Sequence, residues 1–286
     1  MSLQESTIYL NGQFLPLSEA RISVLDRGFL FGDGVYEVIP VYGGRPLRLA
    51  EHLRRLDQSL NGIRMQSPLD DEQWAAIFDR LITGQHDQSI YLQVTRGTYS
   101  KRDHAIPAEI SATVFAMCSP IAPIPLDGIK AITVTDIRWD RCNIKAITLL
   151  SNVLLRQEAV DAGAAEAILV RDGMVLEGAA SNIIIIRKGT LITPPKGDFI
   201  LPGITRDLVL ELAIQRGIPV EERHFGLAEL HEADEIWMTS STREVLAVID
   251  LDGRPVGDAE PGPVWKLIQA DYQAYKAQLR QGAAHR

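Results

Sequence analysis

Four turn dipeptides constrain the fold of this chain more than any other feature of its sequence. They are Asn11-Gly12, Gly43-Gly44, Asp172-Gly173 and Asp252-Gly253. Each lies next to a short run of strand-forming residues, and Asn-Gly in particular favours a type I′ hairpin turn. The pattern therefore predicts several pairs of short antiparallel strands.

Helical patterns separate these predicted strands. A leucine stripe predicts a helix over Glu51–Leu60, Asp70 is expected to cap a second helix, and Val264–Leu279 reads as a closing amphipathic helix. The proline-rich stretch Ser119–Leu126 is too short for a flexible tether and suits a stiff connector. We therefore expect a small N-terminal domain over residues 1–118, a linker over 119–126 and a larger C-terminal, cofactor-binding domain over 127–286.

Composition and charge exclude several classes of protein. A hydrophobic content of 46% over 286 residues is typical of a globular chain, and the formal net charge of −8 argues against a nucleic-acid partner. Cys118 and Cys142 have no metal-ligand spacing, so neither a metal site nor a disulfide framework is predicted. Neither a secretory signal nor a membrane-spanning run is recognisable, which makes a cytoplasmic protein without membrane contact the default expectation.

One lysine stands in an otherwise apolar stretch. Lys145 lies within IRWDRCNIKAITLL, residues 137–150, just ahead of a spacing that predicts a helix from about Ile147. A lysine fixed in such a place can lose solvation and attack a carbonyl, which is the chemistry of Schiff-base enzymes. Taken alone, the stretch is more typical of a lysine at a helix start whose ammonium reaches water.

Other segments could bind an anion or a proton. Glu177 opens EGAASN, LPGITRD at residues 201–207 begins a helix whose first amides favour an anion, and TSST at 239–242 is a hydroxyl cluster. Arg102 and His104 lie two residues apart in the polar loop 97–109. Each segment alone also suits an ordinary turn, helix start or surface loop.

Together these segments supply what pyridoxal 5'-phosphate requires. An amine can take its aldehyde, a carboxylate its ring nitrogen, and helix amides with an arginine its phosphate. No predicted strand leads into a Gly-x-Gly-x-x-Gly helix start, which argues against a nicotinamide cofactor.

Four motifs carry a resemblance to a known family: DRGFLFGDGVYEV at 26–38, IRWDRCNIKAITLL, EAILVRDGMVLEGAASN at 166–182, and LPGITRD. The chain resembles the D-amino-acid aminotransferases, in the class IV pyridoxal-phosphate enzymes shared with branched-chain aminotransferases and aminodeoxychorismate lyases. The resemblance extends from YLNGQF to the last helix. It implies a two-domain α+β fold, with a small N-terminal α/β sandwich, a larger barrel-like C-terminal domain and the cofactor between them.

The same resemblance implies roles for individual residues. Lys145 would bind the cofactor aldehyde and shuttle the substrate proton, and Glu177 would hydrogen-bond the pyridine nitrogen. Arg55 matches the family's phosphate arginine, whereas the adjacent Arg54 does not. The further expected cofactor contacts are Leu201, Gly203, Ile204, Thr205, Ser240, Ser241, Ser181 and Asn182.

Three residues are expected to decide the substrate's handedness. Tyr36, Arg102 and His104 match the residues that bind the α-carboxylate in D-specific members, the last two reaching in from the partner subunit of a homodimer. A carboxylate fixed there determines which way the α-hydrogen points towards the lysine. The chain departs from the family in a loop 97–109 that is one residue longer, and in Ala179 and Ala180, where serines are frequent.

The resemblance implies transamination between a D-amino acid, of the D-alanine or D-glutamate type, and a 2-oxo acid such as 2-oxoglutarate or pyruvate. Four alternatives stay open: a branched-chain L-amino-acid aminotransferase, an aminodeoxychorismate lyase, an (R)-amine transaminase, and a non-catalytic carrier of pyridoxal phosphate. The spacing of Arg102 and His104 favours the D-specific enzymes.

Overall fold

The computed structural model describes residues 6–109 and 111–282. They form two compact units. Unit 1 takes the described residues of Met1–Ile121 and Leu279–Arg286 together with Ile144–Leu149, and unit 2 comprises Ala122–Asn143 and Leu150–Gln278. The segment 144–149, which the predicted domain limits place in the C-terminal domain, therefore belongs by its contacts to unit 1.

An antiparallel sheet forms the centre of unit 1. Its strands are β1 (Thr7–Leu10), β2 (Gln13–Pro16), β3 (Gly34–Tyr42), β4 (Arg45–Pro46), β5 (Gln88–Thr95) and β6 (Thr113–Pro120). They lie in the order β2-β1-β6-β5-β3-β4. The predicted turn between β1 and β2 is present, with positive φ angles of 47° at Asn11 and 89° at Gly12. Only glycine and a few polar residues adopt such angles readily, which explains the Asn-Gly pair.

Three helices accompany this sheet: α1 (Arg27–Phe31), α2 (Leu49–Gly62) and α3 (Asp71–Leu81). Asp70 caps α3 as predicted, in a capping box with Gln73. Leucines of α2 pack with one face of the sheet, where Val35, Ile39 and Leu92 are buried. The short α1 was not predicted, because five residues are too few to show a helical period.

Unit 2 is built on a second, mixed sheet. Its strands are β7 (Ile129–Thr135), β8 (Glu166–Arg171), β9 (Met174–Gly178), β10 (Asn182–Arg187), β11 (Thr190–Thr193), β12 (Val220–Glu222), β13 (Glu235–Ser240), β14 (Glu244–Leu251) and β15 (Arg254–Pro255). The order is β12-β11-β10-β13-β14-β7-β8-β9, with β15 on β14. The chain's other helices are α4 (Leu150–Asp161), α5 (Ile204–Gln215), α6 (Leu227–His231) and α7 (Pro263–Gln281).

The segment around Lys145 differs from its prediction. The helix expected from about Ile147 begins only at Leu150. The residues before it instead run along β3, where the Tyr36 amide donates to the Lys145 carbonyl at 3.0 Å and the Ile147 amide to the Gly34 carbonyl at 3.0 Å. Lys145 thus lies on an extended segment at a strand edge, and the prediction of a helix from about Ile147 is wrong.

Two properties expected from composition can be compared with the structure. Among the residues that it describes, no helix combines the length and apolarity needed to cross a membrane. Cys118 and Cys142 are both free thiols, and over the same residues no His, Cys, Asp or Glu cluster could hold a metal ion.

Candidate active site

The backbone of Lys145 is fixed on both sides. Its amide donates to the Ser59 hydroxyl on α2 at 3.1 Å, and its carbonyl accepts from the Tyr36 amide on β3 at 3.0 Å. The ammonium lies over the Tyr36 ring, with Nζ 4.2 Å from the ring centroid. Across residues 6–109 and 111–282, this lysine makes no ion pair. The arrangement presents a half-buried amine that no carboxylate neutralises, beside an aromatic face that attracts its charge.

Glu37 and Arg55 form a buried ion pair in unit 1. Arg55 Nε donates to Glu37 Oε1 at 2.8 Å and Arg55 Nη2 to Oε2 at 2.7 Å. His52 Nδ1 lies 2.7 Å from the same Oε2. Burial alone would raise the pKa of Glu37, but the Arg55 charge and the His52 hydrogen bond hold it well below its ordinary range. Glu37 is therefore an anion that fixes the guanidinium plane of Arg55, whereas Arg54 is exposed.

His52 is a neutral residue in this cluster. Burial lowers the pKa of its imidazole, an effect that the hydrogen bond to Glu37 opposes. Because Glu37 is an anion, His52 Nδ1 carries the proton that the bond shares. The other ring nitrogen, Nε2, is buried and makes no hydrogen bond to any residue of the described chain. Neither Glu37 nor His52 was assigned a role from sequence. The one available signal was the period of two along β3, which turns Glu37 to the core face.

Arg102 and His104 lie together on one aromatic ring. The Arg102 guanidinium carbon is 5.1 Å from the centroid of Phe31, and the His104 and Phe31 ring centroids are also 5.1 Å apart. Both side chains are exposed on the loop that joins β5 to β6. No hydrogen bond or ring contact within the described chain connects either of them to Tyr36.

In unit 2, three groups hold the carboxylate of Glu177 at the end of β9. Arg138 pairs with Oε1, while Asn182 Nδ2 and the Leu201 amide each donate to Oε2 at 3.0 Å. Burial raises the pKa of Glu177 to about 7, and the Arg138 charge acts in the opposite direction. A cationic ring N–H placed against this carboxylate would stabilise its anionic form further.

Arg138 has its own support. Asp136 Oδ1 accepts from the Arg138 backbone amide at 3.0 Å and from Nε at 2.9 Å, and Arg171 Nη2 donates to Oδ2 at 3.0 Å. The pKa of Asp136 is lowered, because these hydrogen bonds outweigh its burial. The sequence analysis assigned no role to Asp136 or Arg138, although Arg138 lies within the motif IRWDRCNIKAITLL.

The first turn of α5 is packed against the same cluster. Gly203 is the N-cap and supplies no side-chain cap, which leaves the amides of Ile204 and Thr205 for another acceptor. A Cβ at Gly203 would lie 1.9 Å from Asn182 Oδ1. Glycine is therefore required for α5 to approach the asparagine that holds Glu177. Leu201 closes the cluster, since its carbonyl accepts from Asn182 Nδ2 at 2.8 Å.

Hydroxyl groups lie at the end of β13, a strand that contacts α5. Thr239 pairs with Asn182 across β13 and β10, and its Oγ1 is buried without a hydrogen-bond partner among the described residues. Ser240 and Ser241 follow it, half-buried, and their hydroxyls also bind no described protein group. Ser181 differs, because its hydroxyl donates to Glu166 at 3.0 Å. Bare helix amides next to partnerless hydroxyls are the donors that bind an anion.

Comparison with known proteins gives a consistent result. The family model for amino-transferase class IV matches residues 34–251. The D-alanine aminotransferase of Bacillus licheniformis is 40% identical over 271 residues, covering 93% of this chain and 95% of that protein. The branched-chain amino acid aminotransferase of Escherichia coli superposes with a TM-score of 0.88 at 27% identity, covering 98% of this chain and 96% of that one.

A second solved structure is the branched-chain aminotransferase of the thermophilic archaeon Thermoproteus uzoniensis with norvaline. It superposes with a TM-score of 0.85 at 28% identity, covering 98% of this chain and 96% of that one. A third branched-chain amino acid aminotransferase, solved with pyridoxamine 5'-phosphate, superposes with a TM-score of 0.87 at 27% identity, covering 99% of this chain and 96% of that one. Together these likenesses confirm the predicted α+β fold.

Proposed function

Because this chain belongs to the class IV aminotransferases, we propose that it transfers the amino group of a D-amino acid to a 2-oxo acid with pyridoxal 5'-phosphate as cofactor. D-Alanine is the proposed donor, since a D-alanine aminotransferase is 40% identical over 93% of the chain. Pyruvate and 2-oxoglutarate are the proposed acceptors. When bound, the cofactor accepts an amino group at its aldehyde carbon and withdraws electrons from the substrate α-carbon.

The residues present fit this cofactor. The uncapped first turn of α5 and the Thr239 hydroxyl, which has no hydrogen-bond partner among the described residues, suit its phosphate, together with Ser240 and Ser241. Arg55 is the further phosphate contact that the family resemblance implies. Glu177 suits the ring nitrogen, because a buried carboxylate held by Arg138 and Asn182 is a fixed acceptor for an N–H donor.

One observation carries the proposed chemistry, namely the setting of Lys145. Its backbone is fixed by Tyr36 and Ser59, and its ammonium has no ion-pair partner among the described residues. In our proposal Lys145 Nζ holds the cofactor aldehyde. The same amine would move the proton to and from the substrate α-carbon.

The proposed carboxylate site gives the enantiomer preference. Arg102 and His104 would hold the substrate carboxylate through charged hydrogen bonds, with the Tyr36 hydroxyl as a third contact. Holding the carboxylate on one side fixes the direction of the α-hydrogen relative to Lys145. The exposure of Arg102 and His104 supports their availability to a ligand.

We also propose a homodimer in which Arg102 and His104 complete the partner's site. Leu150, Val153 and Leu154, at helical spacing on α4, are 72%, 59% and 50% exposed, and apolar side chains grouped in this way favour association. Mixing two inactive variants tests the sharing of residues. A dimer of Lys145→Ala with Arg102→Ala/His104→Ala should regain one working site if these residues act across subunits, and none if they act within their own chain.

Conversion of the bound cofactor to its amine form tests the reaction itself. The loaded protein is mixed with D-alanine, D-glutamate, L-alanine or L-leucine, and the absorption spectrum is followed. We expect the D-amino acids alone to convert the cofactor, and pyruvate or 2-oxoglutarate to reverse the change. Conversion by L-leucine alone would identify a branched-chain enzyme. Conversion by none of the donors would contradict the proposed activity.

A further inference from the structure

The loop that carries Arg102 and His104 is anchored by two consecutive residues of unit 1, Asp26 and Arg27. We infer that Arg27, together with Phe31 one helical turn later, positions the two residues that bind the substrate carboxylate. This inference rests on the proposed role of Arg102 and His104. It assigns to Arg27 and Phe31 no contact with substrate, only the placement of the residues that make that contact.

Asp26 fixes the two ends of the loop. Its Oδ1 accepts from Thr95 Oγ1 at 2.9 Å, at the end of β5, and its Oδ2 from Thr113 Oγ1 at 2.7 Å, at the start of β6. Asp26 is 1% exposed, so these bonds are shielded from water. Gly97 and Ser111 form a bridge between the same two ends. The stem of the loop is therefore closed independently of its tip.

Arg27 fixes the tip. Its Nη1 donates to the Asp103 carbonyl at 2.6 Å and to the Ala105 carbonyl at 3.3 Å, and Nη2 lies 3.4 Å from the His104 carbonyl. Three consecutive backbone carbonyls thus converge on one guanidinium that is 4% exposed. The guanidinium has five N–H donors, enough for these three carbonyls and for Asp33 at once, whereas a lysine ammonium has three. A cation buried in this way sets the path of the backbone from which Arg102 and His104 project.

Phe31 acts on the side chains. Its ring contacts the guanidinium of Arg102 and the imidazole of His104, and the Arg27 guanidinium carbon lies 4.9 Å from its centroid. The ring therefore holds the two substrate-binding groups next to each other, by cation–π and ring contacts. Glycine at position 28, between Arg27 and Phe31, is required by packing, because a Cβ there would lie 2.3 Å from Thr95 Cγ2.

The chain offers a matched control for Arg27. Asp33 Oδ2 accepts from Arg27 Nε at 2.8 Å and equally from Arg96 Nε at 2.8 Å. Arg96 is also 4% exposed, but its remaining donors go to the carbonyls of Ile63, at 2.6 Å, and Arg64, at 3.4 Å. The two arginines share one carboxylate and are equally buried, and among the described residues only the side chain of Arg27 hydrogen-bonds to the loop.

The experiment compares Arg27→Lys, Phe31→Leu and Arg96→Lys with the parent, all loaded with pyridoxal phosphate. The KM for D-alanine, the inhibition constant of propionate, a simple carboxylate, and kcat are measured. We expect Arg27→Lys and Phe31→Leu to raise the KM and the inhibition constant about tenfold, the effect of loosening one charged hydrogen bond, with kcat within about twofold. Arg96→Lys should lower the melting temperature as much as Arg27→Lys while leaving both constants within about twofold of the parent's.

Amide hydrogen exchange of residues 99–107 supplies a readout that does not need turnover. Exchange should be about tenfold faster in Arg27→Lys and unchanged in Arg96→Lys, with or without cofactor. Equal effects of the two lysine variants on KM and exchange, or parent values in Arg27→Lys, would overturn the inference. If the parent itself fails to convert D-alanine, the proposed function fails, and the exchange measurement still decides whether Arg27 holds the loop.

Discussion

Replacing Glu37 with glutamine removes one negative charge from a buried ion pair while preserving the shape of the side chain. Glu37 is 0% and Arg55 4% exposed. Removing one partner of such a pair costs about 3–5 kcal/mol, because the remaining charge stays buried without its counter-charge. We expect a loss of about 3 kcal/mol for Glu37→Gln, since the amide oxygen can still accept one hydrogen bond from Arg55. In a chain of this size that loss corresponds to a decrease of roughly 6–12 °C in the melting temperature.

Thermal unfolding of the cofactor-free protein at pH 7 measures this loss. Glu51→Gln is the matched control, because Glu51 lies on the same helix α2, its side chain is 36% exposed and its nearest contact with Arg48 is 4.0 Å. A single contact as long as 4.0 Å to a partly exposed carboxylate contributes less than about 0.5 kcal/mol, so the control should melt within about 2 °C of the parent.

The pH dependence of the same variant gives a second check. The folded pKa of Glu37 lies below the ordinary value of 4.5, so the stability it contributes is complete above about that pH and is lost only as pH falls through the folded pKa. The difference in melting temperature between the parent and Glu37→Gln should therefore be constant from about pH 8 to pH 5 and shrink in stronger acid. A gap below about 2 °C at pH 7, or one that closes between pH 8 and pH 6, would refute the ionised pair.

Three further predictions concern the proposed site. Lys145→Ala should abolish amino-group transfer with an unchanged circular dichroism spectrum, and substantial residual transfer would remove its assigned role. Arg102→Ala should raise the KM for amino acids and reduce the preference for D over L donors about tenfold, as steady-state kinetics with both enantiomers would reveal; an unchanged preference would speak against the carboxylate site. Glu177→Gln should weaken cofactor binding about tenfold or more in fluorescence titrations, and should flatten its dependence on pH. In the parent, burial raises the pKa of Glu177 to about 7, so cofactor affinity should fall as pH drops below that value and the carboxylate is protonated. The same raised pKa means that the free energy of unfolding decreases as pH rises from about 4.5 to 7, because the buried carboxyl then ionises. A variant that retains this pH dependence would show that another group causes it.

Local sequence signals predicted much of unit 1. Asn11-Gly12 and Asp70 act within a few residues of themselves, through a turn and a helix cap, and both are found as predicted. β14 is different: the predicted Asp252-Gly253 hairpin marks its end, but its first five residues are all buried and show no alternation that would predict where the strand begins. The helix start at Ile147 was misplaced for a related reason. Residues 145–147 hydrogen-bond to the edge of β3 and are therefore extended. β3 is distant in the sequence, so no local pattern predicts this pairing.

The candidate site divides in the same way. Glycine-flanked and motif-bound residues such as Glu177 and Gly203 could be singled out from sequence. Glu37, Arg138 and Arg27 could not be singled out, because their importance comes from partners far away in the sequence. The pairs are Glu37 with Arg55, 18 positions apart, Arg138 with Glu177, 39 positions apart, and Arg27 with Asp103, 76 positions apart. A charged residue in a strand, loop or short helix resembles any surface charge until its partner is known.

The most direct measurement is the covalent attachment site of the cofactor. The protein is incubated with pyridoxal 5'-phosphate, reduced with borohydride and digested, and the labelled peptide is sequenced by mass spectrometry. We expect the reduced cofactor on Lys145, in the peptide that continues with Ala146 and Ile147, and the loss of this label when D-alanine is added before reduction. A label on another lysine, or no label on a protein that binds the cofactor, would contradict the proposed function.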